Sequence, residues 1–384
     1  MEKHVDHNFN KSFKKFDPML HGLKSDFSLV GYASLKGWCS KVPQNKLNDY
    51  LKDIGDGSIG KDTPDCAVYK IINSDLCQIS SCDFFYPLVK DPFLQGKIAV
   101  ANVLSDIYAM GVSHIDNVLM ILGISKNMNE KEREVITREM IKGFNEACFD
   151  GNTKVTGGQS VMNPWPMIGG TAISTVKESE IIYPFNIEEE DVLILTKPLG
   201  TQIAVNLMEW FDQNNDNYIK VKELGIEEND IKNIYDIAIE SMSRLNLLAA
   251  KLMKKYNSHG ATDITGFGFL GHAKNLVEAQ KKDLTFYIHS LPIIGFTDVI
   301  NNNVYDYGLI EGYSAETSGG ILLSLEKTKS KLFIDEMHLN GEDAWEVGYV
   351  KKSISSGVKS VEIQSDVKII SIFKNESSNI KSKF

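Results

Sequence analysis

Four aspartates of this chain stand where carboxylates commonly hold a divalent cation. Asp65 follows Thr63-Pro64 just before a predicted strand, and Asp83 closes the next predicted strand. Asp106 lies on a predicted helix, and Asp263 lies in a glycine-containing segment of the second half. Carboxylates at strand ends and on a facing helix hold hard cations such as Mg²⁺ against phosphate groups. The sequence therefore predicts chemistry on a phosphate-containing ligand.

A second reactive segment places an ammonium group beside a possible sulfur nucleophile. It reads Leu35-Lys36-Gly37-Trp38-Cys39-Ser40-Lys41-Val42-Pro43-Gln44. A thiolate is a soft nucleophile, and a lysine can neutralise a phosphoryl group during its transfer. The segment is therefore consistent with phosphoryl transfer to a soft nucleophile.

Glycine-rich segments form a third class of candidate. Val155-Thr156-Gly157-Gly158-Gln159-Ser160 follows a predicted strand, and its backbone N–H groups would suit phosphate oxygens. An ordinary tight turn is the alternative. Thr317-Ser318-Gly319-Gly320 is a similar segment in the second half. The chain has no Walker A motif, which excludes a P-loop nucleotide site.

Two further patterns are interpreted as structural. Gly266-Phe267-Gly268-Phe269-Leu270-Gly271 matches GxGxxG, but a dinucleotide site needs a preceding strand and an acidic residue about 20 positions later. A predicted helix and a His-Gly turn precede it, so we interpret these glycines as allowing a helix to pack closely after Asp263. The scattered histidines, without metal-ligand spacing, are expected to be structural or at the surface: His114, His259, His272 and His289.

Composition limits the class of protein. The chain has 384 residues, of which 42% are hydrophobic and 24% charged, as in ordinary globular proteins. Its net charge of -10 disfavours a nucleic-acid partner. Five cysteines without a CxxC pair argue against a disulfide framework and a structural zinc site. No signal peptide or membrane-length apolar run is apparent, so we expect a cytoplasmic protein that does not contact membranes.

One predicted helix can position two of the polar candidates together. It begins at Pro92 and ends near Gly111, with Val100, Val103, Leu104 and Ile107 on its apolar side. Asn102 and Asp106 fall on the opposite side, four residues apart. They could reach the same ligand, whereas a solvated helix face is the alternative.

The remaining pattern predicts an α/β protein of two domains. Residues 1–34 are expected to be a flexible arm, 35–180 and 190–373 two domains separated by the acidic stretch 178–190, and 374–384 a disordered tail. Residues 212–230 are interpreted as a surface insertion, and 231–252 as one amphipathic helix. Further elements are strands over 67–72, 76–81, 153–157, 166–176 and 192–195, and helices over 129–148 and 201–210.

Together these motifs resemble selenophosphate synthetase (selenide, water dikinase), particularly its eukaryotic branch. The resemblance covers about residues 35 to 370. Its most specific segments are Asp91-Pro92, Ala101 to Val112, Val155 to Gln159, Asn163-Pro164-Trp165, Leu195 to Gln202, Ala261 to Gly268 and Glu316 to Gly320.

The resemblance implies both a fold and a reaction. The fold is that of aminoimidazole-ribonucleotide synthetase, with two α/β domains, mixed sheets flanked by helices and a homodimer whose strands form a barrel. The reaction is ATP + selenide + water → selenophosphate + AMP + phosphate. Partners would be ATP and selenide, with Mg²⁺ as cofactor.

The resemblance also implies roles for single residues. Asp65, Asp83, Asp106 and Asp263 fall on the family's Mg²⁺-binding aspartates, and Lys41 on its phosphate-contacting lysine. The expected nucleotide site comprises Lys41, Thr63, Pro64, Asp65, Asp83, Asp106, Gly157, Gly158, Gln159 and Ser160.

The chain departs from the family in its reactive segment. The family pattern is close to (Cys or selenocysteine)-Gly-Cys-Lys, whereas this chain has Trp38-Cys39-Ser40-Lys41. The catalytic candidates are therefore Lys41, Cys39, Ser40 and Trp38. Three interpretations remain: Trp38 stands at a selenocysteine codon, Cys39 has taken the nucleophile's role, or the chain is an ATP-binding paralogue without selenide chemistry. Another ATP enzyme of the same fold is disfavoured by the flanking Lys36-Gly37 and Val42-Pro43-Gln44.

Overall fold

Two mixed β-sheets and their covering helices organise the chain in the computed structural model. The structure describes residues 16–37, 41–42, 46, 50 and 66–374. The α/β class is confirmed, since strands and helices alternate through both halves. No helix in these described ranges is long and apolar enough to cross a membrane.

The first sheet has five strands in the order β1-β2-β5-β3-β4. Neighbours are antiparallel except β3 and β4, which run parallel. Inward and outward residues alternate along β2, which places Cys77, Ile79, Ser81 and Phe85 on the buried face. The strands are β1 Ala67–Lys70, β2 Leu76–Phe85, β3 Asn117–Ser125, β4 Val155–Asn163 and β5 Met167–Lys177.

Two long helices, α1 Pro92–Ala109 and α2 Glu130–Asp150, cover the buried face of this sheet. The Asp91 carboxylate caps α1 by accepting from the backbone N–H groups of Phe93 and Leu94 at 2.8 and 3.2 Å. The helices cross closely because a Cβ on Gly96 would lie 2.1 Å from the Met140 carbonyl oxygen. The predicted helices over 92–111 and 129–148 are confirmed within two residues at each end.

The second sheet has six strands in the order β11-β8-β10-β6-β9-β7. Neighbours are antiparallel except β11 and β8, which are parallel. The short strands β6 and β9 are buried along their whole length, which the continuous apolar run of β6 predicts. The strands are β6 Val192–Leu195, β7 Gly260–Asp263, β8 Leu284–Ile294, β9 Ile321–Leu325, β10 Trp345–Lys352 and β11 Ser360–Ile372.

The helices of the second half differ from the predictions in two places. The predicted insertion 212–230 contains a helix that buries Tyr218 and Val221, because these two apolar residues lie three apart among polar neighbours. The single helix predicted over 231–252 is two helices, since the chain turns to extended backbone at Arg244. The helices are α3 Thr201–Gln213, α4 Asp216–Glu223, α5 Glu228–Ser243, α6 Leu247–Tyr256, α7 Gly268–Glu278, α8 Thr297–Asn303 and α9 Lys327–Leu339.

The N-terminal segment packs against the rest of the chain from residue 16 onward, within the range 1–34 for which the sequence predicts a flexible arm. It forms two 3₁₀ turns, Pro18–His21 and Leu29–Tyr32, and Leu29 is fully buried. The Tyr32 hydroxyl donates to Glu132 of α2 at 2.9 Å, and Lys36 pairs with Glu209 of α3. A few apolar anchors without helical or strand periodicity gave no sequence signal. Residues 1–15 and the predicted tail from 375 lie outside the described residues.

Hydrogen bonds tie the two halves together where α1 meets the second sheet. The Ser318 hydroxyl donates to the Ile98 carbonyl of α1 at 3.0 Å. Asn246, between α5 and α6, donates to the Ser105 hydroxyl of α1 at 3.0 Å. The polar face of α1, with Asn102 and Asp106, is therefore fixed relative to both sheets.

Candidate active site

Strand β2 and helix α1 bring two of the predicted aspartates together. The Asn102 amide donates to Asp83 Oδ2 at 3.0 Å, and the Ser81 hydroxyl donates to Asp106 Oδ2 at 2.5 Å. Asn102 is fully buried, so the alternative of a solvated helix face is wrong. The side of α1 opposite its apolar stripe contacts the carboxylates of the sheet instead.

The Asp83 and Asp106 carboxyl groups also bond to one another. Burial raises the pKa of Asp83 to about 6, the Lys41 ammonium opposes that rise, and the Asp263 carboxylate reinforces it. A hydrogen bond from the Asp106 carboxyl stabilises the Asp83 carboxylate. Two half-buried carboxyl groups in contact, with Asp263 nearby, form a site of high negative potential, which a cation would relieve.

Asp263 reaches the same region from the second sheet. It ends strand β7 and is 3% exposed. The Thr265 hydroxyl donates to Asp263 Oδ2 at 2.8 Å and accepts from the Gly319 backbone N–H at 3.2 Å. Asp263 is close enough to Asp83 to act on its pKa, so the two halves contribute acids to one region.

The Lys41 side chain packs against the loop that follows β7. Its Nζ lies 4.1 Å from the centroid of the Phe267 ring and donates to the Thr265 carbonyl at 3.4 Å. A Cβ on Gly266, whose φ is +98°, would come within 2.8 Å of Lys41 Cδ. Lys41 therefore occupies the space that the glycine leaves, with its charge near Asp83.

His272 of α7 supports that loop from below. Its Nε2 lies 3.2 and 3.3 Å from the backbone nitrogens of Thr265 and Phe267, and 2.6 Å from the Thr265 carbonyl oxygen. Burial lowers the pKa of His272 to about 4, and Lys41 adds to that lowering while Asp263 opposes it. His272 is therefore a neutral structural residue near neutral pH.

The donor set suits a hard divalent cation in part. Asp83 and Asp106 offer carboxylate oxygens a hydrogen bond apart, the ligand type that Mg²⁺ prefers. In the described ranges, however, no group of three His, Cys, Asp or Glu side chains is gathered for a metal ion. Asp65, the fourth predicted ligand, lies outside the described residues, as do Thr63, Pro64, Trp38, Cys39 and Ser40.

The glycine-rich segment Gly157 to Ser160 is not the turn that the sequence predicts. These residues form the middle of β4, where Gly158 pairs with Met120 and Gln159 with Ile121 of β3. The segment is exposed throughout, and strands β5 and β3 separate it from β2. The structure does not bring it to the aspartates of the same chain. Small polar residues beside a Gly-Gly pair indicate a turn on composition alone, and only the pairing with β3 shows a strand.

Several residues of the site were missed as functional candidates in the sequence. Ser81 stands two residues before Asp83, a spacing that puts both on one face of a strand. The rejected GxGxxG segment does contribute to the site, through its first glycine and Phe267. Its glycines also allow close packing, as expected, since a Cβ on Gly268 would lie 2.6 Å from the Gly312 carbonyl. The four-residue strand β7 that precedes the segment was too short to recognise.

Family models match most of the chain. Residues 63–176 match "AIR synthase related protein, N-terminal domain", and residues 188–359 match "AIR synthase related protein, C-terminal domain". The gap between the two matched ranges falls at the end of β5 and in the segment that leads to β6, which links the first sheet to the second.

Curated relatives match over nearly the full length. "Selenide, water dikinase" of Trypanosoma brucei brucei is 43% identical over 367 residues, covering 93% of each chain. "Selenide, water dikinase 2" of Homo sapiens is 40% identical over 378 residues, covering 89% of this chain and 84% of the relative. "Probable selenide, water dikinase" of Caenorhabditis elegans is 43% identical over 346 residues, covering 87% and 91%.

Solved structures of lower identity share the fold. Thiamine monophosphate kinase from Aquifex aeolicus has a TM-score of 0.60 at 16% identity and covers 86% of this chain and 99% of its own. Hydrogenase maturation protein HypE, solved in complex with ATP, has a TM-score of 0.56 at 11% identity and covers 92% and 98%. The predicted aminoimidazole-ribonucleotide-synthetase-like fold is thus confirmed. By its relatives' identity and coverage, the chain belongs to the selenide, water dikinase family.

Proposed function

We propose that this chain converts ATP, selenide and water to selenophosphate, AMP and phosphate. The observation that carries the proposal is the meeting of Lys41 from the N-terminal segment, Asp83 and Asp106 from the first domain, and Asp263 from the second. An ammonium group facing acids is the arrangement that a metal-bound triphosphate requires. The printed names of the relatives support the selenide half of the reaction.

The carboxylates of the site would hold ATP through Mg²⁺. Asp83 and Asp106 would supply ligand oxygens, with Asp263 and Asp65 completing the set, and Asn102 and Ser81 would orient the first two acids. Bound Mg²⁺ would neutralise the charge of the triphosphate. ATP-bound structures of the same fold, such as that of HypE, support ATP as the ligand.

The chemistry has two displacements at phosphorus. Selenide attacks the γ-phosphorus, a Se–P bond forms, and the bond to the β,γ-bridging oxygen breaks with ADP as the leaving group. This ADP stays in the site for the second step. Water then attacks the β-phosphorus, and the bond to the α,β-bridging oxygen breaks to give AMP and phosphate. Lys41 would stabilise charge on the transferred γ-phosphoryl group, because its ammonium is held above the Phe267 ring beside the acids.

The nucleophile that handles selenium would lie in Trp38-Cys39-Ser40. If Trp38 stands at a selenocysteine codon, the usual chemistry is kept, and if Cys39 has replaced it, the thiol has moved one place along. Sequencing the messenger at codon 38 separates these two. A chain that binds ATP without using selenide remains the alternative, motivated by this departure alone.

A second copy of the chain would complete the site. Phe84 on the outer face of the first sheet is 49% exposed, and Val161 and Met162 of edge strand β4 are 46% and 58% exposed. Such apolar exposure is typical of a surface that a partner covers.

Gly158 and Asp83 lie on one row across the sheet, three strand spacings or about 14 Å apart. The Phe144 ring lies under Gly170 of that row, between Gly158 and Asp83. Because Gly158 is thus separated from Asp83 of its own chain, we propose that β4 serves the aspartates of the partner subunit in a homodimer.

Two further proposals concern organisation. The chain is divided into the domains 35–180 and 190–373, joined by the segment that leads from β5 to β6. A cytoplasmic location is supported by three described cysteines that are free thiols, Cys77, Cys82 and Cys148.

The decisive experiment measures AMP formation from ATP with and without selenide. We expect AMP and selenophosphate to appear together and only when selenide is present. AMP forming at the same rate without selenide would refute the proposed function, and no AMP in either case would favour the ATP-binding alternative. The Asp106→Asn variant serves as the inactive control.

A further inference from the structure

Thr265 contacts two groups of the proposed site, Asp263 through its side chain and Lys41 through its backbone. Its hydroxyl donates to Asp263 Oδ2 at 2.8 Å, and its carbonyl oxygen accepts from Lys41 Nζ at 3.4 Å. Thr265 is itself 4% exposed. A buried hydroxyl that donates to a carboxylate fixes which way the carboxylate faces.

The hydroxyl of Thr265 is in turn held by a fixed donor. It accepts from the Gly319 backbone N–H at 3.2 Å. A Cβ on Gly319 would lie 1.7 Å from the Ile264 carbonyl oxygen, so this close approach requires glycine. Because the N–H of Gly319 occupies one lone pair of the hydroxyl, the hydroxyl proton points at Asp263.

The segment that carries Gly319 is anchored to the first domain. The Gly319 carbonyl accepts from Asn246 at 2.9 Å, and Asn246 also donates to Ser105 of α1. Fully buried Lys197 donates to the Ser318 carbonyl at 2.9 Å, and Ser318 donates to Ile98 of α1 at 3.0 Å. The chain of bonds from α1 through Gly319 and Thr265 therefore sets Asp263 relative to the helix of Asp106.

We propose that Thr265 is a positioning residue that aligns Asp263 with Asp83 and Asp106 and holds Lys41 beside them. The inference rests on the proposed function in that these groups bind metal and triphosphate. Thr265 would act through Asp263 and touch neither the nucleotide nor selenide. The Thr265 hydroxyl aligns the Asp263 carboxylate. The Thr265 backbone carbonyl accepts from Lys41, and side-chain substitutions leave this carbonyl in place.

The test compares Thr265→Val, which keeps the shape without the hydroxyl, with Thr265→Ser, which keeps the hydroxyl. Thr196→Val is the matched control, because Thr196 is 1% exposed and accepts from the Ile321 backbone N–H at 2.8 Å in the same region. Binding of ATP in the presence of Mg²⁺ is measured by calorimetry, and KM for ATP, kcat and the Mg²⁺ concentration for half-maximal activity are measured with selenide.

We expect Thr265→Val to weaken ATP–Mg²⁺ binding and raise the half-maximal Mg²⁺ concentration by about ten-fold, the usual loss for a hydrogen bond to a charged group. Thr265→Ser should return both values to within about three-fold of the parent, and Thr196→Val should leave both unchanged. In an Asp263→Asn background, Thr265→Val should have little further effect, since Thr265 acts through that acid.

Parent-like binding in Thr265→Val would overturn the proposal, as would a Ser variant as impaired as Val. Equal losses in Thr265→Val and Thr196→Val, with equal falls in Tm, would show a merely structural role. If the Val variant does not fold, Thr265→Ala takes its place in every comparison. The calorimetric readout is independent of selenide, so a parent enzyme that binds ATP but forms no AMP refutes the proposed function and leaves this test intact.

Discussion

Two glycine-containing segments, one in each domain of this protein, differ in how they lie relative to the candidate site. Gly266-Phe267-Gly268 follows β7 and lies beneath Lys41, held by His272 and close to the buried Asp263. Gly157 to Ser160 lie in edge strand β4, exposed to solvent and bonded on one side to β3. One segment is half-buried or buried against its neighbours, and the other presents an open edge.

One chain therefore brings together the lysine and the three described acids of the site, whereas the glycine-containing strand faces outward. A packed loop positions charge by many small contacts, so single substitutions there should act on one copy of the site. An exposed edge strand offers its backbone and side chains to whatever covers it. In the homodimer that we propose, substitutions in β4 should therefore act on the site of the partner subunit.

The largest expected effect comes from the acid pair. Asp106→Asn keeps an acceptor for the Ser81 hydroxyl but removes the charge that a divalent cation needs. We expect ATP turnover to fall by about 1,000-fold or more with Tm nearly unchanged, because transition-state charge would lose its counterion. Selenide-dependent AMP release and a thermal melt check this. Unchanged turnover would remove Asp106 from the site.

Mixed dimers distinguish the two segments. Gly157→Asp adds a carboxylate to β4 where a Cβ meets only Leu119 Cδ2 at 3.4 Å, so the strand should still form. If β4 serves the partner, hybrids of Gly157→Asp with Asp106→Asn contain one intact site of two. Random mixing of the two inactive variants should then restore about a quarter of the parent activity, since half of the dimers are hybrids.

The control for mixing is the pair Asp83→Asn and Asp106→Asn, which inactivate the same set of acids. That pair should restore no activity in hybrids. No recovery with Gly157→Asp, when differently tagged copies co-purify as hybrids, would mean that β4 acts on its own chain. A fully active Gly157→Asp variant would mean that β4 does not act on the site.

The sequence predicted the first domain's part of the site better than the second's. Helical spacing put Asn102 and Asp106 on one side of α1, and regular periodicity made that helix easy to place. Thr265 and Phe267 could not be found in this way, because their roles depend on Gly319 and Lys41, which are distant in sequence. Contacts between segments that are distant in sequence produce no periodic pattern of apolar residues from which they could be predicted.

The same limit explains the errors in the fold. Segment 16–34 is held by isolated anchors such as Leu29, and α4 by Tyr218 and Val221, too few for a periodic signal. The strand β4 resembles a turn in composition, since its regular structure comes from pairing with β3. Propensity is a local property, and these elements are determined by their neighbours.

The aromatic contact of the packed loop should have an intermediate effect. Phe267→Leu keeps an apolar side chain but removes the ring face that lies 4.1 Å from Lys41 Nζ. We expect kcat/KM for ATP to fall by about 3- to 10-fold, the usual range for a partly exposed cation–π contact. Phe267→Tyr keeps the ring and should stay close to the parent. If Leu and Tyr variants are equally active, the ring does not position the lysine.

The smallest expected effect is one of pH, and it concerns Glu316, whose backbone carbonyl accepts from the Gly266 N–H of the packed loop at 2.9 Å. Buried Glu316 accepts from the backbone N–H groups of Gly200 and Thr201 at 2.7 and 3.0 Å, at the N-terminus of α3. Burial raises the pKa of Glu316 to about 7, although these bonds oppose the rise. Between its ordinary pKa and about 7, the folded chain thus holds a proton that the unfolded chain has lost.

The folded state should therefore lose stability from Glu316 as pH rises from about 4.5 to about 7, with no further loss above that range. Glu316→Gln lacks the titrating group. The Tm of the parent should therefore fall relative to the Tm of the variant by roughly 2–6 °C as pH rises across this range. Thermal melts at several pH values measure it. A constant difference would show that Glu316 is ionised at all these pH values, with the helix terminus outweighing burial. Because β4 lies far from this carboxylate in the fold, Gly157→Asp should leave the shift unchanged, which separates the support of the packed loop from the open edge.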